Sequence, residues 1–440
     1  VEWFLIFGAA VLLRFVALGS APSGLYQDEA INGLDALGVL GGNTPLYFPA
    51  NNGREPIYIY LAALSVGALG PSALALRLPA AILGVLTVPA TYALGRAWFD
   101  RRVGMLSAAI LAVTLWHVHL SRVAFRAVAL PFFTALALAA GAHGLRSGKR
   151  WALAGAGVAY ALTFYTYLPT RFTPLALALI LTGVLIWHKQ ALVARWRRIA
   201  LMGLVAALVL APLGLLALRD PDLVLGRAGQ VGIWNPAIHG GDPAGTLVRS
   251  TFATLGMFAF WGDPIPRHNL PGRPVFDPLL GLAWLVGMGM LLWQFRRNPS
   301  ATAVVLWIAV LLLPTALAED APHFLRAVGV LPVVVVPAAV ALARCPRAIA
   351  ALVLGLSLGL TTYDYFGRYL PDPETRLAFD QAATALATQV NQAEQAIVDW
   401  RLWDRYPSVE FLTARHGALY IAYDNQPTPI PATAEAELPL

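Results

Sequence analysis

Of 440 residues, 58% are apolar and only 12% are charged, a balance that excludes an ordinary water-soluble globular fold and points to a chain that crosses a membrane repeatedly. The formal net charge of +7 does not signal a nucleic-acid partner, because the basic residues sit in short clusters between apolar stretches, where topology accounts for them. One cysteine, Cys345, excludes an internal disulfide.

The apolar windows are each about 17 to 22 residues, enough for a helix to cross a hydrocarbon core of about 30 Å. The period-two alternation of a barrel is absent, so the spanning elements are helices. In chain order, the first span covers 3–19 and carries Arg14. An outer loop, 20–72, follows. It contains GLYQDEAINGLDAL and the apolar segment EPIYIYLAALSVGALG at 55–70, which is too short to cross and reads as an interfacial or re-entrant helix. Six more spans are expected at 74–95, 103–120, 128–145, 151–168, 172–188 and 199–218, then a second outer region at 219–277 rich in Gly, Pro and Trp. Spans at 278–294, 301–318, 325–343 and 347–363 bring the number to about eleven. The predicted fold class is therefore an all-α polytopic membrane domain over 1–363, with a small external α/β appendage at 364–440 that ends in a flexible tail.

Five basic clusters orient this arrangement: Arg96 with Arg101 and Arg102; Arg146 with Lys149 and Arg150; Lys189 with Arg195, Arg197 and Arg198; Arg296 with Arg297; and Arg344 with Arg347. Placing all five in the cytoplasm satisfies the positive-inside rule, with the N-terminus inside and the C-terminus outside. The acidic pair Asp28-Glu29 then lies at the outer face. Carboxylates beside a bilayer are costly and mark function, and an aspartate beside a lipid-facing cavity suits activation of a hydroxyl. The pair reads as the catalytic end of a membrane enzyme.

The ordered series RFVALG, GLYQDEA, REPIYIYLAALSVGALGPSALALRLPAAILGVLTVPATYALGRAWFDRRVG and LSRVAFRA resembles the GT-C superfamily of membrane glycosyltransferases. Within it the chain looks most like the branch of protein O-mannosyltransferases and lipid A aminoarabinose transferases. The likeness is strongest over roughly 3–145 and returns at HFLRAVGVLP. It implies an inverting transfer of a sugar from a polyprenyl-phosphate donor to a lipid, glycan or protein acceptor at the external face of a bacterial or archaeal membrane. Asp28 matches the catalytic position, with a loop carboxylate that pairs with an arginine or caps a helix as its plain alternative. Glu29 would support Asp28, hold a surface helix or bind a metal.

The leaving phosphate calls for guanidinium forks. Arg122 and Arg126, four apart and so expected on one helix face, are the first candidates, with Arg326 beside His323 and the deeply placed Arg14 as further ones. Lipid-headgroup contacts are their alternative. Arg54-Glu55-Pro56 stands where the aminoarabinose branch has an acidic-lysine-proline triplet; the two charged positions differ, which argues against that branch's donor specificity. His119, with His117, falls near the acidic metal motif of the related oligosaccharyltransferases. The outer loops show no compact Asp/His ligand set, so no cofactor is expected and a divalent metal is kept only as an alternative. A carrier, flippase or non-catalytic scaffold of the same fold is the competing class; it is disfavoured by the absence of paired broken helices.

Overall fold

The computed structural model describes residues 2–50, 53–226, 232–423 and 426–429. Residues 430–440, which carry the expected flexible tail, lie outside them. The first nine longer helices are α1 (Glu2–Phe15), α2 (Gln27–Leu40), α3 (Ile57–Leu69), α4 (Ala73–Trp98), α5 (Arg101–Val113), α6 (Leu115–Leu120), α7 (Ala129–Ser147), α8 (Arg150–Thr163) and α9 (Thr173–Trp187). Apolar helices continue at Trp196–Arg219, Pro278–Trp293, Pro299–Leu311, Phe324–Leu342 and Arg347–Thr362. Among the described residues, seven helical runs are long and apolar enough to cross a membrane. The other expected spans are helical but shorter or broken. The span at 103–120, for example, is divided at Thr114, whose extended backbone separates α5 from α6.

Capping and close approach explain where α4 and α5 begin and how they pack. Ser72 Oγ accepts the Ala75 amide at 3.2 Å and Asp100 Oδ1 accepts that of Val103 at 2.9 Å, each satisfying a helix-start donor. A Cβ on Gly104 would stand 2.7 Å from the Tyr92 carbonyl oxygen. Small residues there let the two backbones approach, the usual way that membrane helices pack where lipid is as apolar as a side chain.

The basic clusters gather at one end of the bundle. Arg102 donates to the Cys345 carbonyl, Arg146 to that of Ala97, and Arg195 and Arg198 to that of Leu145. Arg77 and Arg96, near opposite ends of α4, are about 28 Å apart along its axis at 1.5 Å per residue. The loop with the acidic pair binds Arg77, so it lies at the far end from the clusters. The segment at 55–70 forms α3, which packs against α2 and α4 at that end.

After a π-helical turn at Tyr363–Tyr369 come short helices and a three-stranded sheet, β1 (Ala396–Asp399), β2 (Leu419–Tyr423) and β3 (Gln426–Pro429). β1 pairs parallel with β2, and β2 antiparallel with β3. This unit sits on α2: Thr384 Oγ1 accepts the Leu25 amide at 3.0 Å, and Phe411 packs where a Cβ on Gly33 would be only 2.6 Å from its ring.

Candidate active site

Asp28 occupies the first turn of α2, half-buried. A carboxylate is stable there because the amides at a helix start point toward it. Its charge acts on Tyr26, Arg54 and Arg126, which gathers those four side chains around one place. Arg126, almost fully buried, donates through Nε to Glu55 Oε2 at 2.8 Å and lies over the Tyr167 ring at 5.2 Å. Arg54 reaches Asp35 and donates to Asn32 Oδ1 at 2.7 Å. Burial lowers the Arg54 pKa and raises that of Asp35, and their mutual attraction opposes both shifts. The Arg54-Glu55-Pro56 triplet thus contributes both its charges to the surroundings of Asp28.

Glu29 does not stand beside Asp28 as a second catalytic carboxylate. Fully buried, it accepts Arg77 Nε at 2.9 Å and Nη2 at 3.0 Å, the Ala124 amide at 2.7 Å and the Tyr26 amide at 3.2 Å. Both oxygens are spent, so its place is to tie α2 to α4 and to the turn after α6. Arg14 and Arg122 also differ from expectation. Arg14 faces protein, but it binds the carbonyls of Ala10, Leu111 and Ala112 and His117 Nδ1 at 2.8 Å. Arg122 donates to the carbonyls of Leu13, Val16 and Ala21. Apart from that of Ala10, inside α1, these carbonyls lie at or just past the ends of α1 and α5, where acceptors lack intrahelical donors, and buried guanidiniums satisfy them. Nor do Arg122 and Arg126 share a helix face, since α6 stops at Leu120 and the next helical turn begins at Arg126.

The histidines of HVH diverge, as residues two apart on a helix must: His117 turns to Arg14, while His119 Nε2 meets the Arg267 carbonyl at 2.9 Å. An apolar groove of about 810 Å³ between α1, α5 and the helix Arg347–Thr362, rimmed by Arg101, Arg102 and Arg347, belongs to the basic end and not to this site.

Residues 53–215 match the family model of dolichyl-phosphate-mannose-protein mannosyltransferase. Among solved structures, ArnT from Cupriavidus metallidurans in the apo state is similar with a TM-score of 0.63 at 15% identity, covering 99% of this chain and 87% of that one. The same protein bound to undecaprenyl phosphate is similar with a TM-score of 0.60 at 15% identity, over 96% and 86%. The chain has the GT-C fold. The Archaeoglobus fulgidus oligosaccharyltransferase is also similar, with a TM-score of 0.58 at 15% identity over 95% of this chain, which spans only 64% of that protein. No curated protein matches significantly.

On this GT-C scaffold the segment 219–277 contributes residues that sequence reading missed. Arg267 lies over the Tyr26 ring at 5.5 Å, next to Asp28. Asp263 and His268 come together with His323, their ligand-capable atoms all within 4.8 Å of one another and all three residues buried. This corrects the expectation of no compact Asp/His set. The spacing could have hinted at Asp263 and His268, but His323 follows more than fifty residues later and joins them only through folding. His323 caps the run Phe324–Leu342, its Nδ1 accepting the Arg326 amide at 3.4 Å. Arg326 itself donates to Glu319, to Oε1 at 3.1 Å and to the carbonyl, and stays partly exposed. Burial holds both His268 and His323 well below the usual histidine range and raises Asp263.

Proposed function

We propose that this protein is an inverting glycosyltransferase that moves a sugar from a polyprenyl-phosphate carrier to an acceptor hydroxyl at the external membrane face. The observation that carries this reading is Asp28 on the first turn of α2, grouped with Arg54, Arg126 and Tyr26 at the end of a GT-C bundle opposite the basic clusters. Asp28 accepts the acceptor's proton as its oxygen attacks the anomeric carbon. The bond from that carbon to the phosphate oxygen breaks, and the electron pair leaves on the polyprenyl phosphate. Two guanidinium groups, the partly exposed Arg326 and the buried Arg126, stabilise the charge that develops there.

Similar proteins support a lipid-phosphate donor: ArnT has been seen with undecaprenyl phosphate, and the archaeal oligosaccharyltransferase AglB with an inhibitory peptide and a dolichol-phosphate. The test is transfer by the purified full chain from radiolabelled polyprenyl-phosphate sugars to a panel of lipid, glycan and peptide acceptors. Product that requires Asp28 supports the assignment. Binding of the donor with no transfer to any acceptor would favour a carrier or scaffold.

A further inference from the structure

The geometry points to a divalent metal site, most suited to zinc, formed by Asp263, His268 and His323 and fastening the outer region to the start of the helical run Phe324–Leu342. Two imidazoles and one carboxylate are the donor set of three-ligand zinc sites, which leave a fourth position for water or substrate. Tetrahedral bonds of about 2.0 to 2.2 Å put neighbouring donor atoms about 3.3 to 3.6 Å apart. His268 Nδ1 and Asp263 Oδ2 are already 3.0 Å apart, and the whole set lies within 4.8 Å. Little movement is needed to close around an ion.

The surrounding bonds hold these donors as an outer shell holds ligands. Asp263 Oδ1 accepts the Ile265 amide at 2.8 Å and Oδ2 the Phe324 amide at 2.7 Å, so the carboxylate is fixed by both segments that the metal would join. His323 uses Nδ1 as its helix cap, which makes Nε2 the atom to offer. The His268 and His323 rings lie with centroids 4.5 Å apart, tilted by 43°, as two imidazoles converging on one point can. Arg326, the nearby cation on the same helical turn, leans toward Glu319, with Nη2 at 3.1 Å from its Oε1. Arg267 Nε donates to His268 Nε2 at 3.2 Å while its guanidinium lies over the Tyr26 ring at 5.5 Å; a metal on Nδ1 moves the ring proton to Nε2 and so removes the acceptor of the first contact.

The full chain, purified in detergent and stripped with chelator, is dialysed against zinc, and bound metal is measured by mass spectrometry of the digested protein. Cobalt loading is read by visible absorption. One zinc per chain is expected, with intense cobalt bands of a four-coordinate site. His323→Gln and Asp263→Asn should each weaken binding by roughly tenfold or more, while His117→Gln binds as the unmodified chain does. Less than stoichiometric zinc in the unmodified chain overturns the proposal without any variant having to fold. Retention of full binding by monodisperse His323→Gln or Asp263→Asn overturns it too. Because metal content is read without transfer, a failure here is separate from a failure of the glycosyltransferase assignment.

Discussion

Glu29 and Arg77, both wholly inaccessible to solvent, join through two bonds of 2.9 and 3.0 Å and fasten the start of α2 to the beginning of α4. Removing one member of such a pair leaves a buried charge without its partner, at a cost of about 3 to 5 kcal/mol. Glu29→Gln is therefore expected to lower the thermal stability of the detergent-solubilised protein markedly. The activity of whatever remains folded should stay within a few-fold of normal. A fully stable but inactive Glu29→Gln protein would return Glu29 to the chemistry.

Asp28→Asn keeps volume and polarity and removes the base. Transfer should fall by at least about a hundredfold, the usual scale for a lost general base, with donor binding and melting temperature unchanged. Donor binding is read by isothermal titration with the lipid-linked sugar. Turnover close to normal in this variant would remove Asp28 from its assigned role.

Arg326 and Arg122 should behave differently, because one is partly exposed and the other is spent on the carbonyls of Leu13, Val16 and Ala21. Arg326→Ala should raise the donor KM and lower kcat together. Arg122→Met should chiefly destabilise, since it leaves three buried acceptors unpaired. Equal losses of donor affinity in the two, at matched stability, would count against the division.

Gly33→Val places a side chain where the Phe411 ring now lies. The C-terminal unit should then dock less tightly on α2, and limited proteolysis should cut between 373 and 412 faster than in the unmodified chain. An unchanged cleavage pattern would mean that the unit is held mainly by other contacts, such as that of Thr384 with Leu25.

The membrane-spanning pattern was legible in the sequence because it is a local property: about 20 apolar residues must form a helix in lipid whatever their neighbours do. Helices accordingly appear at the expected spans, and the short stretch at 55–70 became α3, apart from them. The gathering of the basic clusters at the end opposite Asp28 followed from a similarly local rule, whereas the helix that begins at Gln27 lies in a stretch that reads as loop. What each buried charge binds was decided only by tertiary structure. Arg14, Arg122 and Arg126 look alike in sequence, yet the first two were consumed by carbonyls at helix ends, whereas Arg126 met Glu55. Glu29 was claimed by Arg77, which sits in an apolar span and gave no sign of its partner. Asp263 and His268 acquired His323 from more than fifty residues further along the chain. A buried polar group must find a complementary one, and which one lies within reach is a fact about packed helices that spacing along the chain does not contain.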